Sequence, residues 1–376
     1  MSSALNRVYV SGTGRFLPNA PITNERIDDV LGRLTDAPPR VMGFMENVGP
    51  RMLADSGIAG RHFAIDPETH RLTHTVASLG EEAARQAIQA AGKTASDVDL
   101  LILASPNYDQ STPPTSALLQ QRLGIERCAE MEIHSNCSGL GKSVQVACDA
   151  LRLGRYRSAL VVLCQLSSVY LRSCYFNQPQ MGKTAAALRY ILADGAGALL
   201  LETAPGDATE APPLEILGTF VESRGGEMEP AMTAGGGVSD LTDLDSPIEA
   251  CYRQGLHHLN QDFAAVNRYA GPYLLDGILR MLDELGIDSS TVAHYVASIP
   301  TMQLYEANGD QIESRLRIKL DRMKFRARNT GYCGGASVLL HFDEMVRDGE
   351  IQRDELVVLH AVESSKWMTA GFVVRG

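Results

Sequence analysis

The chain has 376 residues, 44% hydrophobic and 21% charged, with a formal net charge of −11. That length suits two core-forming domains or one large duplicated one. The acidic balance argues against non-specific nucleic-acid binding, which needs clustered Lys and Arg, but leaves room for an anionic substrate or acidic carrier at a local basic patch. No apolar run reaches the length of a membrane span, and "MSSALNRVYVSGTG" lacks the apolar core of a secretory signal; a cytoplasmic protein without membrane association is expected.

Apolar β-branched runs alternate with helix-like runs, the order of an α/β protein whose strands are covered on both faces. "RVYVSGTGRFLP" reads as a strand entering a Gly-Pro turn, and "HTVASLGEEAARQAIQAAGKT" as a helix ending near Gly92. "DVDLLILASP" is a buried strand, and "PPTSALLQQRLGI" a helix opened by prolines and closed at Gly124. The strand "AEMEIHS" leads through Cys137 into "GLGKSVQVACDALRLGRY", where Leu140, Val144, Cys148 and Leu151 form one helical stripe. Strands "SALVVLCQLS" and "ADGAGALLLE" follow, the second opened by an Asp-Gly turn.

The Pro- and Ala-rich stretch 203–213 reads as a linker, and beyond it the rhythm recurs. Strand "LEILGTFVES", helix "GPYLLDGILRMLDELGI", strand "HYVASIP" and helix "MQLYEANGDQIESRLRI" come first. A turn and helix in "NTGYCGGASVLLHFDEMVRDG" and strands "ELVVLHAVE" and "GFVVRG" complete the chain. Two halves, 1–205 and 206–376, are expected from this duplicated pattern, with the irregular stretch 223–260 as a cap insertion.

The seven cysteines (Cys128, Cys137, Cys148, Cys164, Cys174, Cys251 and Cys333) are odd in number and include no CxxC pair. Free thiols are expected, with neither a disulfide framework nor a zinc site. Cys137 sits where a strand turns into a helix, a place whose orphan amides and positive dipole end favour a thiolate. Ser138, Gly139 and Gly141 are small enough to let the backbone pass close to a bound group. On these residues alone Cys137 is either a nucleophile or one more small apolar side chain. No P-loop, dinucleotide fingerprint or metal-ligand cluster is present, so no permanently bound cofactor or metal is expected.

Six segments, in order, carry a family resemblance. They are "VSGTGRFLPNAPITNERI", "SGIAGRHFA", "LLILASPNYDQSTPPTSALLQQRLGI", "IHSNCSGLGKSVQVACDALRLGRYRSALVV", "ADGAGALLLE" and "RNTGYCGGASVLL". Together they resemble the β-ketoacyl-acyl carrier protein synthase III group of the thiolase fold. The resemblance implies a duplicated, five-layered αβαβα architecture and a homodimer. It also implies an acyl thioester of coenzyme A or of acyl-carrier-protein phosphopantetheine as substrate, with Cys137 taking the acyl group. Asn329 falls at the asparagine of the family's "G-N-T-x-x-A-S" loop, where a side-chain amide hydrogen-bonds a substrate carbonyl. Arg61 follows "GIAG", where the family has cofactor-contacting arginines. Arg172, Lys183 and Arg189 are expected near the tunnel mouth or the dimer edge.

Two departures shape the functional expectation. The family's histidine after the strand "HYVASIP" is replaced by Ser298, and its glycine-rich C-terminal loop reads "AVESSKWMTAG". A serine hydroxyl is a weaker donor than imidazole and no base at neutral pH, so His360, Glu363 and His134 are the candidate bases, with His257 and His258 expected on a helix surface or cap. The expected activity is acyl loading onto Cys137 followed by C–C condensation or by O-, N- or S-acyl transfer, in polyketide or fatty-acid-type biosynthesis. The alternatives are an impaired partner subunit of an active condensing enzyme, or a thioesterase.

Overall fold

The computed structural model describes residues 5–204, 213–242 and 245–376. The linker stretch 203–213, with the boundary at 205/206, lies mostly outside these residues. Nine strands make one sheet: β1 (Tyr9–Phe16), β2 (Leu100–Ser105), β3 (Ala129–His134), β4 (Ser158–Leu166), β5 (Asp194–Glu202), β6 (Leu214–Ser223), β7 (His294–Ala297), β8 (Leu356–Glu363) and β9 (Met368–Arg375). Their spatial order is β7-β8-β9-β6-β1-β5-β4-β2-β3. The sheet is two half-sheets joined by a short antiparallel seam, Tyr9 opposite Glu215 and Val10 opposite Leu214.

The half-sheets repeat one another. In the first, β2 runs parallel to β4, β4 antiparallel to β5, and β5 antiparallel to β1. In the second, β7 runs parallel to β8, β8 antiparallel to β9, and β9 antiparallel to β6. Five helices complete the pattern: α1 (Val76–Ala90), α2 (Thr115–Leu123), α3 (Gly139–Arg152), α4 (Phe263–Glu284) and α5 (Ala336–Arg347). Helix α1 precedes β2 as α4 precedes β7, and α3 precedes β4 as α5 precedes β8. Among the described residues of the second half, β3 has no counterpart in the sheet.

Strand alternation builds the layers. Successive side chains point to opposite faces, so Leu100 and Ile102 of β2 pack inward while Leu101 and Leu103 pack outward. The inner core combines Leu140, Val144 and Leu151 of α3 with Val338, Phe342 and Met345 of α5, between β2 and β4 on one side and β8 and β9 on the other. The outer face of the first half carries α1 and α2, and that of the second carries α4, whose Leu274, Ile278 and Met281 pack on Phe220, Val358 and Val373. The result is helix, sheet, helix, sheet, helix, the thiolase architecture. The Leu140, Val144, Cys148 and Leu151 stripe is wholly buried.

Two elements differ from the sequence reading. Helix α4 begins at Phe263, two turns before the Gly-Pro pair; Pro272 lies inside it, and the cap is Asp262, whose side chain accepts from the Ala265 N–H at 3.0 Å. The expected single helix after β7 is two, Met302–Ala307 and Gly309–Leu316, broken at Asn308. The stretch 223–260 holds Met232–Thr233, which pairs with Asn260–Gln261, and the helix Pro247–Gln254.

Candidate active site

Cys137 occupies the elbow between β3 and α3, half-buried, on the wall of a cavity of about 790 Å³. The N-terminus of α5 meets it from the other half of the fold. A Cβ added to Gly335 would lie 2.8 Å from the Cys137 carbonyl oxygen, and one on Gly334, whose φ is +55°, 2.5 Å from Gln165 Oε1. Only glycine lets the two elbows press together this closely. Gly139 and Gly141 serve packing as well, and do not open the backbone to substrate. A Cβ on Gly139 would meet Ala104 Cβ at 3.1 Å, and one on Gly141 would meet Gly371 N on β9 at 2.4 Å.

Contrary to expectation, the elbow does not favour a thiolate. The first amides of α3 are already engaged: Gly139 N–H donates to Asn136 O, Leu140 N–H to Cys137 O, and Ser138 N–H to Glu363 Oε2 at 3.0 Å. Glu363 therefore supplies the negative charge at this helix end. Burial, with the Glu363 charge adding to it, pushes the Cys137 thiol up to about 12, against a smaller downward pull from its bond to Tyr332.

Tyr332 is the residue sequence reasoning missed. Its hydroxyl lies 3.0 Å from Cys137 Sγ. Ser298 stands beside it on the cavity wall, where its hydroxyl favours the ionised phenol, and Ser298 Oγ accepts from the Val362 N–H at 3.3 Å. A backbone amide can only donate, so the Ser298 proton is free for Tyr332, and the Tyr332 proton for sulfur or for a group in the cavity. Burial holds the phenol well above its ordinary value. The signal was the spacing. The family's loop places its asparagine five residues before the helix-opening serine, and five residues before Ser337 stands Tyr332, not Asn329.

Asn329 lies in an exposed turn and does not line the cavity, so the structure does not bring it to Cys137. Ser298 does line it, beside Tyr332. Glu363 sits behind the elbow, where Ser135 Oγ, Ser138 Oγ, Ser365 Oγ and the Ser138 amide donate to it; it faces away from the cavity and is no free base. His360 is fully buried beneath α4, with neither ring nitrogen hydrogen-bonded, and desolvation pushes it down to about 3. Both residues lie on β8, whose alternation turns His360 to α4 and Glu363 to α3.

Arg61 is completely buried outside the cavity and donates to Tyr190 O at 3.0 Å, so it does not present itself to a surface cofactor. Burial lowers it to about 10. Arg189 is likewise buried, against Asp28 and Gly32 O, while Lys183 lies over the ring of Phe44, a cavity residue. His134 lines the cavity and is exposed. His257 lines it too and is buried rather than superficial, its Nε2 donating to Tyr175 O at 2.7 Å. Among the residues described as lining the cavity there is no Asp, Glu, Lys or Arg. Leu188, Ile191, Leu192, Leu274, Leu275 and Ile312 give it a largely apolar wall. Among the described residues no cluster of three metal-ligating side chains occurs, and no helix is long and apolar enough to cross a membrane.

Comparison with known proteins places this geometry. A family model described as 3-oxoacyl-[acyl-carrier-protein] synthase III matches residues 131–225, which include the Cys137 elbow. The β-ketoacyl-[acyl-carrier-protein] synthase III of Methylococcus capsulatus is 28% identical over 357 residues, 94% of each chain. Among solved structures, the tetronic acid condensing enzyme AbyA1 superposes with a TM-score of 0.75 at 22% identity, covering 98% of this chain and all of that one. The 3-oxoacyl-[acyl-carrier-protein] synthase III of Aquifex aeolicus gives 0.73 at 17%, with 98% and 100% covered.

Proposed function

From its thiolase fold and its similarity to β-ketoacyl-acyl carrier protein synthase III, we propose that this chain is a condensing enzyme of that kind, which takes an acyl group from a coenzyme A or acyl-carrier-protein thioester onto Cys137 and passes it to a second substrate. The observation that carries the reading is one thiol at a strand-to-helix elbow, opening on a charge-free, mostly apolar cavity of about 790 Å³. That volume lies within the range of small-molecule sites, and such a wall suits an acyl chain better than a polar metabolite. The Cys137 amide, which donates no backbone–backbone hydrogen bond among the described residues, steadies the thioester oxygen as it becomes an oxyanion.

Ser298 and Tyr332 stand where the family's expected pattern has histidine and asparagine, so the second step runs on hydroxyl donors and departs from the usual triad. The proposal includes a homodimer working in the cytoplasm on a polyketide or fatty-acid-type pathway, with residues 223–260, which contribute Met232 to Gly237 to the wall, as the cap. Incubation with acetyl-, octanoyl- and palmitoyl-coenzyme A, followed by intact-protein mass spectrometry, is expected to show one added acyl group with at least one donor. Cys137→Ala is expected to abolish it, and an adduct mapped to another residue overturns the assignment. Release of free acid as the sole product from the acyl-enzyme, with no transfer to any acceptor, replaces the transferase reading with a hydrolase.

A further inference from the structure

Resting on that acyl-loading reading, we infer that Tyr332 is a catalytic residue, a neutral proton shuttle for the Cys137 sulfur, with Ser298 as its positioning residue. Three observations converge. The Tyr332 hydroxyl touches the reacting atom at 3.0 Å. Beside it Ser298 Oγ accepts from the Val362 N–H at 3.3 Å, which turns the Ser298 proton away from that amide and leaves it available to the neighbouring phenol oxygen, while the Tyr332 proton stays free to move. And no carboxylate or ammonium group lines the cavity to act as an ordinary base or acid.

The titratable groups around the pair are few. Glu363 lies at the end of β8, behind the elbow and bonded to serine hydroxyls. His134 at the end of β3 and His257 ahead of α4 line the cavity. Cys333 is buried beside Tyr332 in the loop before α5. Of these, none hydrogen-bonds the Cys137 sulfur; Tyr332 does.

The step balances without any ionised protein group. In loading, the bond from Cys137 sulfur to the acyl carbon forms and the bond from that carbon to the carrier sulfur breaks. The thiol proton passes to the Tyr332 oxygen as the Tyr332 proton passes to the departing carrier sulfur. Tyrosine ends as it began, and a free carrier thiol leaves. In transfer the exchange runs again: an acceptor bearing one removable proton on oxygen, nitrogen or sulfur bonds to the acyl carbon. Its proton goes to Tyr332, and the Tyr332 proton returns to Cys137. The substrate class that fits this shuttle is therefore an alcohol, amine or thiol acceptor. A shuttle suits this site because both the thiol and the phenol stay protonated at neutral pH; a mechanism that waits for a free thiolate finds very little of one.

The test uses single-turnover loading of the full-length protein by rapid-quench mass spectrometry, with whichever of acetyl-, octanoyl- or palmitoyl-coenzyme A loads fastest, from pH 6.5 to 9.5. Tyr332→Phe keeps the ring and removes the hydroxyl. It is expected to slow loading at pH 7 about 100-fold or more, the ordinary range for a lost general acid–base group. Its rate is also expected to climb about tenfold per pH unit, because only pre-ionised thiol then reacts. The wild type shows a much shallower slope, and His134, His257 and Glu363 are common to both proteins, so the difference in slope belongs to Tyr332. Ser298→Ala, which leaves the phenol in place, is expected to slow loading about 3- to 10-fold with the shallow slope kept. Exchange of the isolated acyl-enzyme with free coenzyme A, the reverse reaction, should slow in Tyr332→Phe by the same factor as loading. Loading by Tyr332→Phe at the wild-type rate, or slowing with the wild-type slope, overturns the shuttle while leaving acyl loading intact. A wild-type protein that takes no acyl group onto Cys137 overturns the loading reading and the shuttle together.

Discussion

Glu363 and Cys137 compete for the same end of α3, and the carboxylate has it. That arrangement makes a residue-scale prediction. Glu363→Gln removes the charge that helps raise the thiol, so the Cys137 pKa falls, more thiolate is present at pH 8, and alkylation by iodoacetamide speeds up roughly 3- to 10-fold, half to one pKa unit. The same change leaves hydroxyls that donated to two carboxylate oxygens facing an amide with one acceptor, at a cost of about 1–3 kcal/mol in unfolding free energy. Alkylation no faster than wild type would show that burial alone sets the thiol. Cys137 itself was legible in the sequence, because a lone cysteine between an apolar strand and a glycine-rich helix start is a local pattern. Tyr332 was legible only through its spacing, because what reaches the sulfur is fixed by distance from the N-terminus of α5, five residues before Ser337, and not by the Asn-Thr pair at 329. Glu363 was legible as a departure from glycine but not as the partner of Ser138, a contact across 225 residues.

Helix packing decides two further outcomes. Gly141 lets α3 lie directly on β9, so Gly141→Ala forces the helix off Ala370 and Gly371. The expected loss is about 1–3 kcal/mol, read from the urea midpoint, with a fall in acyl loading because the same helix carries Cys137 at its start. Unchanged stability would mean that α3 can slide without strain. On the far face, His360 lies under α4 close to Gly277, with both nitrogens unbonded. Its folded value of about 3 is below the 6.5 of an unfolded histidine, so protonation favours the unfolded chain. The stability it permits is whole above about pH 6.5 and lost progressively as pH falls towards 3. His360→Leu is expected to flatten the decline of the urea midpoint between pH 7 and 4; an equal decline in both proteins would remove His360 as its cause. The elements themselves were readable nearly one by one, since buried strands and amphipathic helices announce their periods. The exceptions were set by partners distant in sequence: α4 runs through Pro272, and Asn308 splits the next helix while its side chain packs on Gly271.

The whole molecule is a repeated unit whose halves share the inner core and meet at the site, where the α3 and α5 elbows face each other across Cys137 and Gly335. One half supplies the thiol; the other supplies Tyr332, Ser298 and Glu363. That division explains why the architecture could be read from rhythm while the site could not, since no local window contains both sides of it. The edge of the first half-sheet is β3, which has one strand neighbour and leaves Met131 40% exposed. An open strand edge invites pairing, and the expected homodimer would close it. Met131→Lys is then expected to shift the protein from dimer to monomer in light scattering, and a monomeric wild type would leave the edge without that role. The burial of Cys137, with the carboxylate at the start of α3 adding to it, also bears on survival in air. Peroxide oxidises thiolates far faster than thiols, so a cysteine kept protonated until a thioester arrives should resist sulfenic-acid formation and hold its activity through oxidative conditions that silence more acidic catalytic cysteines.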